Sequence, residues 1–526
     1  METPLASKPL PSIWRIILIT MLVLGVFFRL VNLDGKVFWV DEAFTAMRIS
    51  GYTEAEVVQA WTENPVTTVA ELQRYQFPQG DRSVIGTVQG LAKFEPQLPP
   101  LYFVLTRWWV QLFGDSVSVI RSFGAIASIA TLPLLALLCR ELFPSRVTAY
   151  IAVCLMAVSP FQVIYAQEAR PYSLWTLLTV AASWALLRAL RLQTLRSWML
   201  YGLMLTLSLY TFVYTVWVIL AHGLYVLWQE RRHLKSFIYS AGTAVLLFAP
   251  WLTAIALNWQ SGLRLASWQR QPLENRFLAL PLAWALHVTR TFLDFDDDVG
   301  LDQLMPYGLL VLLTLVGVGY ALYLFRNGGP ELAWRFVVLL LVVPALAIIL
   351  PDLLTGGQQS TASRYFVPCW IALILIMAYA LTLLLNERLG RIALAGLLTF
   401  QVLSCATSSL ASTWWNKEGG YIPYVANQIN QTQKPLVVSS SDWWVFSLAH
   451  DLRPETSLEI VTRPEVLPGI PMGHSDYFLY SMPEPIRNAL IQGGLQIQPF
   501  EGLEQVPIQC MVPPGQQPGP CPPNVG

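Results

Sequence analysis

Two adjacent carboxylates, Asp41 and Glu42, lie about ten residues after a long hydrophobic segment and between the aromatic residues Trp39 and Phe44. A carboxylate held close to a membrane surface can abstract a proton from the hydroxyl group of an acceptor. The alternative interpretation is that both are ordinary polar residues of a solvated loop. The surrounding aromatic residues favour the first interpretation, so the pair predicts acid–base chemistry beside a membrane.

Three arginines lie at the ends of hydrophobic segments. Arg121 begins one segment, Arg170 lies between two others, and Arg364 precedes a further one. A charge near bilayer depth is costly unless it is paired or functional, although arginines also anchor helices by snorkelling to the interface. Because the planar guanidinium group suits bidentate contact with phosphate oxygens, the three arginines predict a site for an anionic lipid phosphate.

Other charged groups allow two interpretations each. Glu168 either pairs with Arg170 or Arg121 or takes part in a site. An acidic cluster consists of Asp294, Asp296, Asp297 and Asp298. It either binds a divalent cation or forms an exposed loop. A divalent cation is therefore possible, but neither the scattered histidines nor the cysteine spacing predicts a metal site.

The composition is that of a membrane protein. Of 526 residues, 54% are hydrophobic and only 13% are charged, whereas soluble domains carry roughly 25% charged residues. The 33 basic residues balance the 33 acidic ones. The chain therefore has no net positive charge that would attract nucleic acid. The 20 Trp and 20 Tyr residues suit the aromatic belts at bilayer interfaces.

Hydrophobic runs of roughly 20 residues predict membrane-spanning helices. They occur at 13–31, 118–138, 147–165, 172–190, 236–256, 303–325, 335–351, 366–386 and 391–411. The stretch 198–228 is too long for one span and is interrupted near Tyr210 to Tyr214, so we expect two short helices there. The sequence thus predicts about eleven spans within a transmembrane domain at 13–411.

The basic residues predict the topology through the positive-inside rule. They fall in alternate connections, at Arg140 and Arg146; Arg188, Arg191 and Arg196; Arg231, Arg232 and Lys235; Arg326 and Arg335; Arg388 and Arg391. All of these lie on the cytoplasmic side only if 99–113 does not cross the membrane. We therefore expect 32–117 to be one outer loop that contains interfacial helices.

Residues 412–526 have a different character. Short β-type runs at 435–441, 457–462 and 476–481 alternate with helix-like segments, which predicts a small α/β domain on the outer side. It ends in a loose tail rich in Pro and Gly. Cys510 and Cys521 flank this tail, and whether they form a disulfide is left open by the sequence.

Four motifs occur in a fixed order along the chain: Trp39-Val40-Asp41-Glu42, Glu95-Pro96-Gln97-Leu98-Pro99-Pro100-Leu101-Tyr102-Phe103, Gly114-Asp115-Ser116 with Arg121, and Tyr165-Ala166-Gln167-Glu168-Ala169-Arg170-Pro171-Tyr172. This ordered set resembles the GT-C membrane glycosyltransferases. The similarity is greatest to the bacterial branch of glycosyltransferase family 39, related to the protein O-mannosyltransferases and the lipid A aminoarabinose transferase. The resemblance covers roughly residues 13–260 by motif and the remaining spans by architecture.

The resemblance implies a GT-C fold, a polyprenyl-phosphate-sugar donor and an active site facing outward. It implies that Asp41, with Glu42, is catalytic. It places the donor phosphate or its lipid near five residues, namely Arg121, Glu168, Arg170, Tyr172 and Arg364. Pro99, Pro100 and Tyr102 would be the structural motif of the outer loop. The family usually has His directly before the two prolines, where this chain has Leu98.

The sequence therefore predicts a multi-pass glycosyltransferase of a bacterial cytoplasmic membrane. It would transfer a sugar from a polyprenyl phosphate to an acceptor on the outer side, with membrane lipids as its surroundings. The alternative is a transporter or flippase for lipid-linked sugars, which typically shows internal repeats with broken helices at mid-membrane. No such repeat is evident, and the ionisable residues cluster near one face of the membrane.

Overall fold

The protein is described by a computed structural model over residues 12–80, 82–295, 304–440, 443–462, 471, 473–500, 506–512 and 521. Its chain divides into two compact units. Unit 1 comprises 1–33, 91–105 and 118–411, and unit 2 comprises 34–90, 106–117 and 412–526. Most of the first predicted outer loop therefore groups with the C-terminal residues and not with the spans.

Helices account for nearly all of unit 1 and part of unit 2. Over the described ranges they are α1 Ser12–Leu30, α2 Val40–Ser50, α3 Glu54–Glu63, α4 Val69–Gln73, α5 Val84–Phe94, α6 Leu101–Phe113, α7 Val117–Leu142, α8 Arg146–Ala157, α9 Pro160–Ala166, α10 Tyr172–Leu192, α11 Leu195–Leu209, α12 Thr215–Gln229, α13 Leu234–Leu257, α14 Trp259–Leu265, α15 Arg276–Phe292, α16 Leu304–Gly328, α17 Glu331–Thr355, α18 Val367–Leu384, α19 Arg388–Leu410, α20 Ile422–Gln431, α21 Trp444–Ala449 and α22 Glu484–Gln492.

The apolar helices match the predicted spans in position. By length and composition, seven helices of the described chain could cross a membrane, or eight if the bent pair α8 and α9 is one span. The predicted division of 198–228 is confirmed, because α11 and α12 have 15 residues each and are separated at Tyr210 to Tyr214. The number of spans, about eleven, stays a prediction.

A buried arginine stabilises the break between α8 and α9. The two helices meet at an angle of 55°, and Pro160 begins α9 without a backbone N–H. Arg29 fills the gap by donating hydrogen bonds to the carbonyl oxygens of Met156, at 3.0 Å, and Ala157. Gly25 allows this close approach, because a Cβ atom there would lie 2.4 Å from the Ala157 oxygen.

Unit 2 contains one six-stranded sheet. Its strands are β1 Val66–Thr68, β2 Pro435–Ser440, β3 Ser457–Val461, β4 Asp476–Tyr480, β5 Gln496–Pro499 and β6 Ile508–Val512. Their order is β1-β3-β2-β4-β6-β5, with β2 parallel to β3 and β4 and the other pairs antiparallel. The predicted α/β character is confirmed, and β1, β5 and β6 were not predicted.

The sheet buries one face against α22. Leu436 and Val438 of β2 pack there with Ile486 and Leu490 of the helix, because alternate strand residues point to the same face. A disulfide joins Cys510 of β6 to Cys521, which answers the question that the sequence left open. The rest of the predicted loose tail lies outside the described residues.

Candidate functional site

Asp41 lies in the first turn of α2, which follows the extended residue Trp39. A carboxylate at this position interacts favourably with the partial positive charge of a helix N-terminus. Among the residues of α2, only Val40, Asp41 and Phe44 are half-buried, and the others are buried. The Asp41 side chain is therefore on the one side of α2 that a substrate could reach.

Glu42 is held in a different environment from its neighbour. Its Oε2 atom accepts a hydrogen bond from Nζ of Lys417 at 2.6 Å, and both side chains have 0% exposure. Lys417 is 375 residues away along the chain, and nothing in the sequence identified it. The catalytic assignment of Glu42 stays a prediction, but the geometry makes this carboxylate an anchor for α2.

Arg121 is completely buried near the start of α7. Its Nη1 atom donates a hydrogen bond to the carbonyl oxygen of Leu33 at 2.7 Å. One turn later Gly124 packs closely on the backbone of the Glu168 turn, since a Cβ atom there would lie 3.1 Å from the Ala166 oxygen and 3.2 Å from the Glu168 oxygen. Unit 1 thus brings the start of α7 beside the predicted Glu168 motif.

The Glu168 motif is a buried turn between α9 and α10. The backbone N–H of Arg170 donates to the Glu168 carbonyl oxygen at 2.8 Å. Glu168 has no exposure and Arg170 is buried. The Tyr172 ring follows at the start of α10, with its centroid 5.5 Å from that of Tyr165. Which arginine pairs with Glu168 stays a prediction.

Arg364 joins this cluster from a distant part of the chain. Its Cζ atom lies 6.0 Å from the Tyr172 ring centroid and 5.7 Å from that of Tyr365. Glu168 and Arg364 both act electrostatically on the Tyr165 hydroxyl, which lies 3.2 Å from the Ser363 hydroxyl. The structure therefore brings Glu168, Tyr172 and Arg364 together within unit 1, and their contact with a donor phosphate stays a prediction.

A rim of aromatic and amide side chains beside Arg364 was missed. Gln269 donates to the hydroxyl of Tyr365 at 3.2 Å, and Gln359 donates to that of Tyr214 at 2.6 Å. The rings of Tyr214 and Tyr365 are 5.0 Å apart. Asp352 fixes Gln359 by accepting its backbone N–H at 3.0 Å. The break at Tyr210 to Tyr214 was the available sequence signal, but it was interpreted only as a helix boundary.

The Pro99-Pro100 motif is a packing element of unit 1. The N–H of Leu101 donates to the Tyr210 carbonyl oxygen at 3.0 Å as α6 begins. Tyr102 is fully buried, with its ring 5.8 Å from that of Phe123 on α7. Pro99 and Pro100 are buried, while Leu98 is half-buried. These contacts suit a structural role for the motif, which stays a prediction.

The acidic cluster gives no support to a cation site. Asp294 lies 3.9 Å from Arg290, one turn earlier, and Asp296, Asp297 and Asp298 lie outside the described residues. Across the residues that the structure describes, no group of three or more His, Cys, Asp or Glu side chains could hold a metal ion.

Comparisons with known proteins identify the class to which this fold is similar. The chain aligns with ArnT from Cupriavidus metallidurans bound to undecaprenyl phosphate over 96% of its own length and 99% of that chain. The TM-score is 0.55 at 12% identity, which shows a shared fold. The predicted fold class, a polytopic helical membrane protein of GT-C type with a small α/β domain, is confirmed.

The sequence matches agree with this class. Residues 97–253 match the family model of dolichyl-phosphate-mannose-protein mannosyltransferases. An undecaprenyl phosphate-alpha-4-amino-4-deoxy-L-arabinose arabinosyl transferase of Pseudomonas savastanoi pv. phaseolicola is 27% identical over 316 residues, 57% of this chain and 54% of that protein. The same enzyme of Pseudomonas aeruginosa is 27% identical over 335 residues, 61% of this chain and 56% of that protein.

These matches confirm the predicted resemblance to GT-C glycosyltransferases. The chain spans little more than half the length of the two curated relatives. None of the comparisons supports the transporter or flippase interpretation.

Proposed function

We propose that this protein is a membrane glycosyltransferase that moves a sugar from a polyprenyl phosphate to an acceptor hydroxyl. The observation that carries the proposal is a charged cluster in unit 1, in which Glu168 and Arg170 are buried and Arg364 is half-buried, in a chain similar to an undecaprenyl phosphate-alpha-4-amino-4-deoxy-L-arabinose arabinosyl transferase. Charge near bilayer depth is costly unless it is paired or functional, and guanidinium groups suit contact with phosphate oxygens.

In the proposed reaction, the acceptor oxygen attacks the anomeric carbon of the donor sugar. The bond between that carbon and the phosphate oxygen breaks, and polyprenyl phosphate leaves as an anion. Arg121, Arg170 and Arg364 stabilise the negative charge on the leaving phosphate through hydrogen bonds, which are stronger when both partners are charged. Asp41 takes the proton of the acceptor hydroxyl.

We further propose that the enzyme lies in the cytoplasmic membrane of a bacterium, with the active site and residues 412–526 facing outward. The distribution of basic residues supports this orientation. The 13 residues of α6 are fewer than the roughly 20 that a spanning helix needs. The acceptor is a hydroxyl-bearing glycan, lipid or protein.

The test uses the purified full-length protein with a panel of undecaprenyl-phosphate sugars, and the measurement is the release of undecaprenyl phosphate. The wild-type protein should release it, and Asp41→Asn should reduce the rate by about 10²–10⁴-fold because a general base is lost. Asp34→Asn is the matched control, since Asp34 is exposed and precedes α2. Equal rates for Asp41→Asn and the wild type would remove Asp41 from the mechanism.

A further inference from the structure

The rotation of α2 about its own axis decides whether Asp41 is accessible. Val40, Asp41 and Phe44 are the half-buried positions of this helix. Residues three or four apart lie on the same side of an α-helix, so Phe44 shares one side with both Val40 and Asp41. A modest rotation of α2 would therefore carry the Asp41 carboxylate towards the buried side.

Glu42 is in a position to prevent that rotation. Successive residues of an α-helix are offset by roughly 100° around the axis, so Glu42 points away from the accessible side. Its carboxylate meets Lys417 at 2.6 Å, where both side chains are completely buried. One fixed contact in the first turn sets the direction of the neighbouring side chain as well.

The chain that leads into α2 is attached to the same C-terminal region. The N–H of Val37 donates to the Ser412 carbonyl oxygen at 2.9 Å. The hydroxyl of Ser447 donates to the Phe38 carbonyl oxygen at 2.5 Å. These backbone contacts fix where the helix begins, and the buried side chains of α2, Glu42 among them, fix its rotation.

Lys417 is itself held in place by a turn. Its N–H donates to the Trp414 carbonyl oxygen at 2.8 Å, and its carbonyl oxygen accepts from the Thr413 hydroxyl at 3.4 Å. A buried ion pair adds little net stability, because desolvation of two charges offsets their attraction, and its best-attested role is to select one arrangement. The Lys417–Glu42 pair of unit 2 is a buried ion pair of this kind.

We propose that Lys417 is a positioning residue for sugar transfer, which acts by holding Glu42 and so fixing the rotation of α2 that presents Asp41 to the acceptor. This inference rests on the proposed function, in which Asp41 takes the acceptor proton. Lys417 is buried and does not touch the substrate itself.

The test is Lys417→Met in the full-length protein, with undecaprenyl phosphate release measured at varied donor concentration. The value of kcat should fall by about 10–100-fold, because small displacements of a reacting group are costly. The KM for the donor should change by less than about threefold, since this substitution leaves the arginines of unit 1 unaltered. An unchanged kcat in the folded Lys417→Met protein overturns the proposal.

Variants that restore the contact separate positioning from folding. Lys417→Arg, the exchanged pair Glu42→Lys with Lys417→Glu, and the neutral pair Glu42→Gln with Lys417→Gln can each still form a hydrogen bond. At least one of the three should recover kcat to within about fivefold of the wild type. If each folds and none recovers activity, Lys417 acts in another way and the positioning role is wrong.

The control is Arg82→Met, which removes the half-exposed ion pair of Arg82 with Glu56, at 2.9 Å in the same unit. It should leave kcat unchanged, because exposed pairs contribute little. A wild-type protein that releases no undecaprenyl phosphate, or an active Asp41→Asn variant, contradicts the proposed function. Activity that depends on Asp41 but not on Lys417 contradicts this inference alone.

Discussion

The guanidinium carbon of Arg364 lies 6.0 Å from the centre of the Tyr172 ring, although the two residues are almost two hundred positions apart in the chain. A cation near the face of an aromatic ring is attracted by its quadrupole. Arg364 precedes α18 and Tyr172 begins α10, so this contact brings together the ends of two apolar helices. It also places a positive charge beside the buried Glu168 turn.

We expect Arg364→Lys to weaken donor use. Lysine keeps the charge but loses the planar fork that contacts two phosphate oxygens, so kcat/KM for an undecaprenyl-phosphate sugar should fall by roughly tenfold. The measurement is the rate of undecaprenyl phosphate release against donor concentration. Arg388→Lys is the control, because Arg388 is exposed at the start of α19. Equal losses in both variants would contradict a specific role for Arg364.

Reporter fusions test the predicted topology. Fusions after Ser116 and after Gly420 should both give an extracytoplasmic signal, because that arrangement puts the basic connections inside. A fusion after Arg232, in one of the basic connections, should give a cytoplasmic signal. If the Ser116 fusion were cytoplasmic, the segment 99–113 would cross the membrane, and the prediction that 32–117 forms one outer loop would be wrong.

Loss of the disulfide should destabilise the C-terminal sheet. Cys510 belongs to β6, next to β4, and the bridge to Cys521 closes a loop with a sequence separation of 11. Cys510→Ser should lower the free energy of unfolding by about 2–3 kcal/mol, seen as faster proteolysis of residues 412–526. Cys521→Ser should have the same effect, and the double variant should add little to either. If a reductant accelerated proteolysis of the double variant as much as that of the wild-type protein, this explanation would be wrong.

Hydropathy predicted most of the helices because a spanning segment must satisfy its own backbone hydrogen bonds, which makes the signal local. It also predicted β2, β3 and β4, since their apolar runs are continuous. The strand β1 has only three residues and owes its conformation to pairing with β3. The strand β6 lies close to a stretch rich in Pro and Gly, and this composition hid it.

The candidate site was predictable where a charge lay in an apolar context. Arg121, Arg170 and Arg364 stood out for that reason, and the structure places all three in unit 1. Lys417 could not be found in this way, because a lysine after the last span is ordinary in composition and its partner is 375 residues away. Only its contact with Glu42 in the folded protein makes Lys417 a candidate positioning residue.

The stability of the C-terminal sheet should depend on Glu459. This residue lies in β3, opposite Val438 of β2, and burial raises the pKa of its carboxyl group from 4.5 to about 7. The folded state therefore binds the proton more tightly than the unfolded state does. The resulting stabilisation is fully present below pH 4.5 and is lost as the pH rises through about 7.

Between pH 5.5 and pH 8.5, the free energy that protects β3 should fall by roughly 2 kcal/mol. Hydrogen exchange of the β3 amides in the full-length protein measures this difference, after correction for the intrinsic pH dependence of exchange. Glu459→Gln should remove most of it, because the amide has a similar shape and does not titrate in this range. The control is Glu484→Gln on the exposed first turn of α22, which should leave the pH dependence of β3 unchanged. A pH dependence that survived in Glu459→Gln would assign the effect to another group.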